Sequence, residues 1–462
     1  MNTALWTAFD IAEATEGEVH GCFSANGVAF DSREVGPGDL FIAMKGGATD
    51  GHRFVAQAFA NGAAGAIVSE PIEQPHVRVA GTSAALNALG EASRKRTQAR
   101  IIGVTGSVGK TGTKEALFAA LDRASPGQVH RSVKSYKNHT GVPLSLARMP
   151  ADSRYGIFEM GMSAAGELAA LTRLVRPHVA IVTAIAPAHS AYFAGEEQIA
   201  DAKGEIFEGL EEGGTAIVPF DSPHRDRLIA AARPHATRIL TFGRGADADV
   251  RARDAVVTDR GTLVTAVLPD ADLTFTIAHP GDHWVSDALA LLAAVDAVGG
   301  DLAAAGLALA DMEGLAGRGR RIRIPVGGGE ALLIDESYNA NPASMAATLN
   351  VLGRQKAERR IAVLGDMREL GGESPGFHTA LVGPLQAANV EFALLVGPEM
   401  KALAFALEGK IDFEHVPDAA AALDSIVRLI APGDAILIKG SLAIGLSRVV
   451  DALASGKSIC FT

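Results

Sequence analysis

Cysteine is nearly absent: Cys22 and Cys460 are the only two in 462 residues. Two cysteines so far apart form neither a zinc-site spacing nor a disulfide framework, so a reducing compartment is expected. An excess of positive charge is also lacking, since the formal net charge is −11. That argues against a nucleic-acid-coating protein and means a polyanionic ligand must find a local basic pocket. No apolar run approaches the roughly eighteen residues of a membrane span. The first residues, Met1-Asn-Thr-Ala-Leu-Trp6, lack the basic segment and apolar core of a secretory signal, so a cytoplasmic protein is expected. Aromatics make up 5% of the chain against 48% apolar residues in total, which predicts cores of small and aliphatic side chains with close helix–sheet packing.

Glycine, by contrast, is concentrated where it carries meaning, in Gly103-Val-Thr-Gly106-Ser-Val-Gly109-Lys110-Thr111-Gly-Thr113. An apolar strand-like run (Arg100-Ile-Ile-Gly-Val) precedes it and a helix-like run from Lys114 follows. A glycine turn between strand and helix aims backbone N–H groups and the positive helix end at phosphate oxygens. Lys110 can then reach the outer phosphates, and the Thr111 hydroxyl can ligate Mg²⁺. The first glycine of the full motif is replaced by Val104, leaving the shorter Gly-x-x-Gly-Lys-Thr. ATP binding is the expectation; an ordinary glycine turn is the alternative.

The length suggests roughly three domains of ~150 residues each. The expected division is 1–98, 99–313 and 314–462. The first segment mixes short strands with a helix over Arg53 to Asn61 and ends in the basic, polar Ala92-Ser-Arg-Lys-Arg-Thr-Gln-Ala-Arg100. The second alternates strands (Tyr155 to Glu159, Val179 to Thr183) with helices (Gly281 to Val298). Its stretch from Ala246 to Ile277 is rich in β-branched residues and predicts a short antiparallel insert. The third follows the Gly/Arg-rich hinge Gly317-Arg-Gly-Arg-Arg321, with strands at Ala331, Ile361, Phe392 and Ala435. Such alternation predicts an α/β fold with parallel sheets covered by helices.

A second set of candidate ligands lies in the middle segment. Glu159 ends a strand, His189 follows the next one, and Lys203 sits in a helix-like stretch. Strand ends beyond a phosphate loop are where open α/β sheets bind ligands. A carboxylate and a neutral imidazole there suit Mg²⁺. Taken singly, the three could equally be a helix-terminal charge, a loop histidine and a solvated lysine.

The ordered motifs carry a resemblance. Asp31-Ser32-Arg33, Asp50-Gly-His52-Arg-Phe54, Asn138-His-Thr-Gly-Val-Pro143, Phe158-Glu-Met-Gly161, Ala202-Lys-Gly-Glu-Ile206, Tyr338-Asn-Ala-Asn-Pro342 and Leu364-Gly-Asp-Met-Arg-Glu-Leu-Gly371 run through the whole chain. In this it resembles the Mur ligases, and within them those that add D-alanyl-D-alanine to UDP-N-acetylmuramoyl-tripeptide. The resemblance implies three domains: a small N-terminal α/β UDP-binding domain, a central P-loop ATPase-like parallel sheet and a C-terminal Rossmann-like domain. It implies ATP and two Mg²⁺ ions as cofactors, both small molecules as substrates, and a monomer. Gly106, Ser107, Val108, Gly109, Lys110, Thr111 and Gly112 would hold the phosphates, with Asp287, Arg318 and Glu336 as further nucleotide contacts. Thr111, Glu159, His189 and Lys203 would be metal ligands, Lys203 as its carbamate, which needs a neutral amine. Lys110, His189 and Lys203 would be catalytic. Asp31, Ser32, Arg33, Asn138, Tyr338, Asn339 and Asn341 would bind substrate.

The chain departs from the family's usual residues in five places. Lys137 stands for an Asn, Ala191 for a Glu, Asp287 for an amide expected near adenine, Glu336 for an Asp, and Leu442 for a polar residue. Two readings besides the ligase are therefore carried: a catalytically impaired relative that binds the UDP precursor, and a P-loop ATPase module.

Overall fold

The computed structural model describes residues 4–46, 49–134, 136–187, 193, 195–258, 261–279, 281–312, 314 and 316–455. Among them the largest sheet has nine strands, built outward from the phosphate-loop strand Arg100–Thr105. Its neighbours are Tyr155–Glu159 on one side, where Glu159 pairs with Val104, and Val179–Val182 on the other, where Val182 pairs with Thr105. The chain leaves the central strand first to one side and later to the other. That reversal opens a crevice at the strands' C-terminal ends, above Thr105.

The alternation along the central strand explains its depth. Ile102 and Val104 join Leu117, Leu121 and the helix Asp282–Ala297 in one core, while Ile101 packs with Val142, Phe158 and Phe207 in another. A strand covered on both faces reads as a continuous apolar run, as this one does. The helix Asp282–Ala297 is apolar nearly all round and is accordingly buried along most of its length. The predicted insert is a meander, Val250–Thr258, Gly261–Val267 and Asp272–Ile277. It is antiparallel within itself and joined to the parallel sheet through Phe242 and Val250.

Two smaller sheets flank this one. The N-terminal sheet orders Glu18–His20, His76–Arg78, Gly65–Val68, Asp39–Ile42 and Gly27–Ala29, parallel except for its first pair. The C-terminal sheet orders Arg320–Val326, Gly329–Glu336, Asp434–Lys439, Arg359–Gly365, Phe392–Val396 and Asp412–Val416, again with one antiparallel edge pair. Cores lie on both faces of it.

One local reading differs from expectation. The helix expected over Arg53 to Asn61 is a 3-10 turn, Gly51–Phe54, followed by the helix Val55–Ala60. The basic stretch before the phosphate loop is the last turn of the helix Thr82–Arg96. Arg94 is buried there and donates to the carbonyls of Val175 at 2.7 Å and Arg176 at 2.8 Å. Arg96 donates to Leu5 O at 2.9 Å and stacks over Trp6, whose indole donates to Ala147 O at 2.7 Å. These charges are consumed in fastening the first sheet to the second.

Candidate active site

The phosphate loop begins where Arg100–Thr105 ends. Gly109 adopts φ +83°, and a Cβ there would come within 2.6 Å of Asp287 Oδ1, so both conformation and space require glycine. The helix Lys110–Ala124 starts at the next residue. Lys110 curls its ammonium back over the loop to the carbonyl oxygens of Gly106 and Ser107. The Ser107 hydroxyl donates to Ala186 O at 2.9 Å, tying the loop to the segment after Val179–Val182.

Glu159, at the end of the neighbouring strand, accepts from the Thr111 hydroxyl at 2.7 Å and lies 3.8 Å from the Lys114 ammonium. Burial raises its pKa, yet Lys137, Lys110 and Lys114 together outweigh burial and hold it below the ordinary carboxylate value. Lys203, on the helix Glu196–Gly204, is 1% exposed. Burial, assisted by the charge on Lys137, brings its amine down to about 7. Lys110 is lowered by burial and then by Lys137 and Lys203. The carboxylate of Glu159 thus sits among three lysines, Lys137, Lys110 and Lys114, a basic pocket inside an acidic protein.

From the other side the C-terminal sheet presents its strand ends. Asp335 closes the turn at Gly317 by accepting from Gly317 N at 2.6 Å, and Arg318 then stacks on the Tyr338 ring with 4.2 Å to its centroid. Lys439 donates to Asn339 O at 2.9 Å and lies 3.5 Å from Glu336. Burial pushes Glu336 up and Lys439 down, each toward its neutral form. Asn341 caps the helix Pro342–Gly353 by accepting from Ser344 N at 2.9 Å.

A cavity of about 560 Å³ joins these two halves. Ser107, Lys110, Asn138 and Lys203 line it from the central sheet, and Tyr338, Asn339 and Asn341 from the C-terminal one. Leu442 also lines it and is exposed. Asp31, Ser32 and Arg33 are not part of its wall. Asp31 is occupied by Arg33, with a 2.6 Å ion pair and a 3.0 Å bond from the Arg33 backbone. The next residue, Glu34, accepts from Tyr136 Oη at 2.8 Å, one residue before Lys137 in the loop that reaches the cavity. His189 and Ala191 lie outside the described residues. For Asp287 the resemblance implies a position near adenine; the structure sets its carboxylate against Gly109 and Gly112 of the phosphate loop, where burial raises it to about 7.

Sequence reasoning did not single out Lys114, Arg368 or Ser441. Lys114 is buried beside Glu159, and no spacing rule pairs residues on separate elements. Arg368 and Ser441 line the cavity, joined by a 2.9 Å bond from Arg368 N to Ser441 Oγ. Their signal was available, since both follow strand ends of the C-terminal sheet. Among the described residues one other cluster has the composition of a cation site, Asp50, His52 and Glu70. Both ring nitrogens of His52 are already used, Nδ1 with Asp50 at 2.6 Å and Nε2 accepting from Ser69 N at 2.9 Å, so it reads as a structural brace.

Comparison with known proteins places this geometry. Family models match along the chain in order: "Mur ligase family, catalytic domain" over 24–103, "Mur ligase middle domain" over 104–295, and "Mur ligase, glutamate ligase domain" over 319–442. The UDP-N-acetylmuramoyl-tripeptide–D-alanyl-D-alanine ligase of Escherichia coli K12 is 34% identical over 453 residues, covering 97% of this chain and 98% of that one. A crystal structure of MurF from Acinetobacter baumannii superposes with a TM-score of 0.84 at 32% identity, over 97% of this chain and 99% of that one. MurF from Thermotoga maritima in complex with ADP gives 0.77 at 25% identity, over 93% and 97% of the two chains. Matched by these family models in order and by a relative 34% identical over nearly its whole length, the chain belongs to the Mur ligase family.

Proposed function

We propose that this chain is the ATP-dependent ligase that joins D-alanyl-D-alanine to UDP-N-acetylmuramoyl-tripeptide, a step of peptidoglycan precursor synthesis. The relatives of similar length carry that activity in their names. One observation supports it above others: a single cavity is lined by the phosphate-loop lysine, the buried Lys203 and the Tyr338-Asn-Ala-Asn341 turn. An acyl-activating ligase needs that juxtaposition, because phosphoryl donor, carboxylate and incoming amine must meet.

In this reading a carboxylate oxygen of the tripeptide bonds to the γ-phosphorus of ATP, and ADP leaves. The dipeptide amine then attacks the acyl carbon, the tetrahedral centre collapses, and inorganic phosphate departs as the amide forms. The loop from Gly106 to Gly112 holds the phosphates, and Lys110 offsets charge developing on the transferred group. Arg318 and Glu336 reach the nucleotide from the C-terminal side, and Asp287 backs the loop. Asn138, Tyr338, Asn339 and Asn341 contact the reacting ends of the substrates, while Asp31, Ser32 and Arg33 hold the uridine diphosphate beyond the cavity.

The donors present suit Mg²⁺. Thr111 Oγ1 and the Glu159 carboxylate, 2.7 Å apart, are hard oxygen ligands in one corner of the site. Lys203 has no hydrogen bond or ion pair among the described residues, and its amine near neutrality can take up CO₂ to give a carbamate, an anionic ligand. His189 is assigned with them. The ions, when bound, neutralise charge on the phosphates. Domain limits near 98 and 313, a monomeric state and a cytoplasmic location belong to the same reading.

Phosphate release from ATP and Mg²⁺ tests it, measured with and without each substrate and followed by product mass. Release that requires both substrates and yields the pentapeptide is expected. Release indifferent to both would mark an ATPase module, and UDP-tripeptide binding without release would mark a catalytically impaired relative.

A further inference from the structure

Among the described residues Lys137 and Lys203 are the two lysines of this cavity whose amines have no hydrogen bond or ion pair, and burial brings Lys203 toward its neutral form. Lys110 is bonded to the carbonyls of its own loop, and Lys114 to Glu115 at 2.9 Å. Lys137 lines the same cavity, and among the described residues its ammonium makes no hydrogen bond and no ion pair. Its anchorage is nonetheless firm. The Lys137 carbonyl accepts from Gly161 N at 2.8 Å, and Asn138 next to it accepts from Gly141 N at 2.9 Å. The methylenes cross Gly161 so closely that a Cβ there would lie 2.9 Å from Lys137 Cδ. Glycine at 161 therefore leaves a channel through which the side chain reaches the cavity.

The charges around it define what it waits for. Lys137 is the foremost charged neighbour of both Lys110 and Lys203. The buried carboxylate of Glu159 is already held by Thr111 and flanked by Lys114. With Lys110 bonded to its own loop, Lys114 held by Glu115 and Lys203 brought toward neutrality by burial, the Lys137 ammonium faces the cavity as a charge that an anionic ligand group can offset. We infer that Lys137 contacts the transferred phosphoryl group itself, first as the γ-phosphate of ATP and then as the acyl phosphate, from the side opposite the phosphate loop. No bond is made or broken by this contact; it stabilises charge that moves from donor to acceptor.

The inference rests on the proposed ligase reaction, and its test separates the two. Binding of ADP and of the β,γ-methylene analogue of ATP, each with Mg²⁺, is compared in the wild type, Lys137→Met and Lys137→Arg. Methionine keeps the apolar stem over Gly161 and removes the charge. Lys137→Met is expected to lose about tenfold in affinity for the analogue while binding ADP as before, as for one charge-assisted hydrogen bond. Its phosphate release with both substrates should fall about a hundredfold, and Lys137→Arg should recover part of each loss. Equal weakening toward ADP and analogue would show a merely structural residue and overturn the inference, as would an unchanged ratio. A wild type that selects the analogue through Lys137 but makes no pentapeptide would retain the contact and remove the ligase reading.

Discussion

Asp287 shows how one residue's environment can decide its chemistry. A carboxylate beneath a phosphate-binding loop would repel the ligand if ionised, but burial raises its pKa to about 7. Below that value it is a neutral carboxyl able to donate one hydrogen bond; above it the anion faces the phosphates through Gly109. Nucleotide binding should therefore weaken as pH rises through about 7, by about tenfold between pH ~6 and pH ~8. Asp287→Asn, which is neutral throughout, should flatten that slope, as titration calorimetry with ADP at the two pH values will show. A wild-type affinity flat over this range would mean that Asp287 does not sense the phosphates. The resemblance places Asp287 near adenine and says nothing of its approach to the phosphate loop. Its approach to Gly109 depends on packing between elements more than 170 positions apart (a separation set by the fold, not by spacing).

At the scale of elements, the site depends on how strands and helices end. Gly109 initiates the phosphate-loop helix in a left-handed conformation with Asp287 filling the space a Cβ would take. Gly109→Ala should thus abolish measurable nucleotide binding while the thermal midpoint falls only modestly; retention of ADP affinity would contradict this account. The helix Thr82–Arg96 ends differently, with the Arg94 guanidinium set on the last carbonyls of the helix Glu167–Val175 and 3.1 Å from Glu211. A cation there satisfies orphan carbonyls and complements the helix dipole. Arg94→Met should destabilise the protein by about 2–3 kcal/mol in urea unfolding, the loss of buried charged hydrogen bonds. Central strands such as Arg100–Thr105, Tyr155–Glu159, Val179–Val182, Arg359–Gly365 and Asp434–Lys439 were legible because apolar runs bounded by turns carry their own signal. The role of Arg94 was not, since its acceptors lie 81 and 82 positions away.

Across the whole molecule the two flanking sheets are attached unequally. The first is fixed to the central one by Trp6 to Ala147, Arg148 to Val28 at 2.6 Å and Tyr136 to Glu34. The C-terminal sheet meets the centre largely across the cavity, with Arg354 and Asp282 as an exposed 3.4 Å pair. Its tether contains Gly317 and Gly319, both at positive φ, before the exposed Arg320 and Arg321. Closure of this unit over its ligands predicts that tryptic cleavage between Arg318 and Arg321 slows most when nucleotide and UDP-tripeptide are both present. Equal rates with and without ligands would argue for a fixed arrangement. The phosphate loop, the strand–helix alternation and the order of the motifs can be read along the chain, because each depends on neighbours within a few residues. That Lys137, Lys203 and the Tyr338-to-Asn341 turn share one cavity with Lys110, and that Asp31 to Arg33 stand outside it, emerges from the folded arrangement alone. Those relations arise from packing between sheets, and the electrostatics that follow depend on burial and distance, which spacing along a chain does not encode.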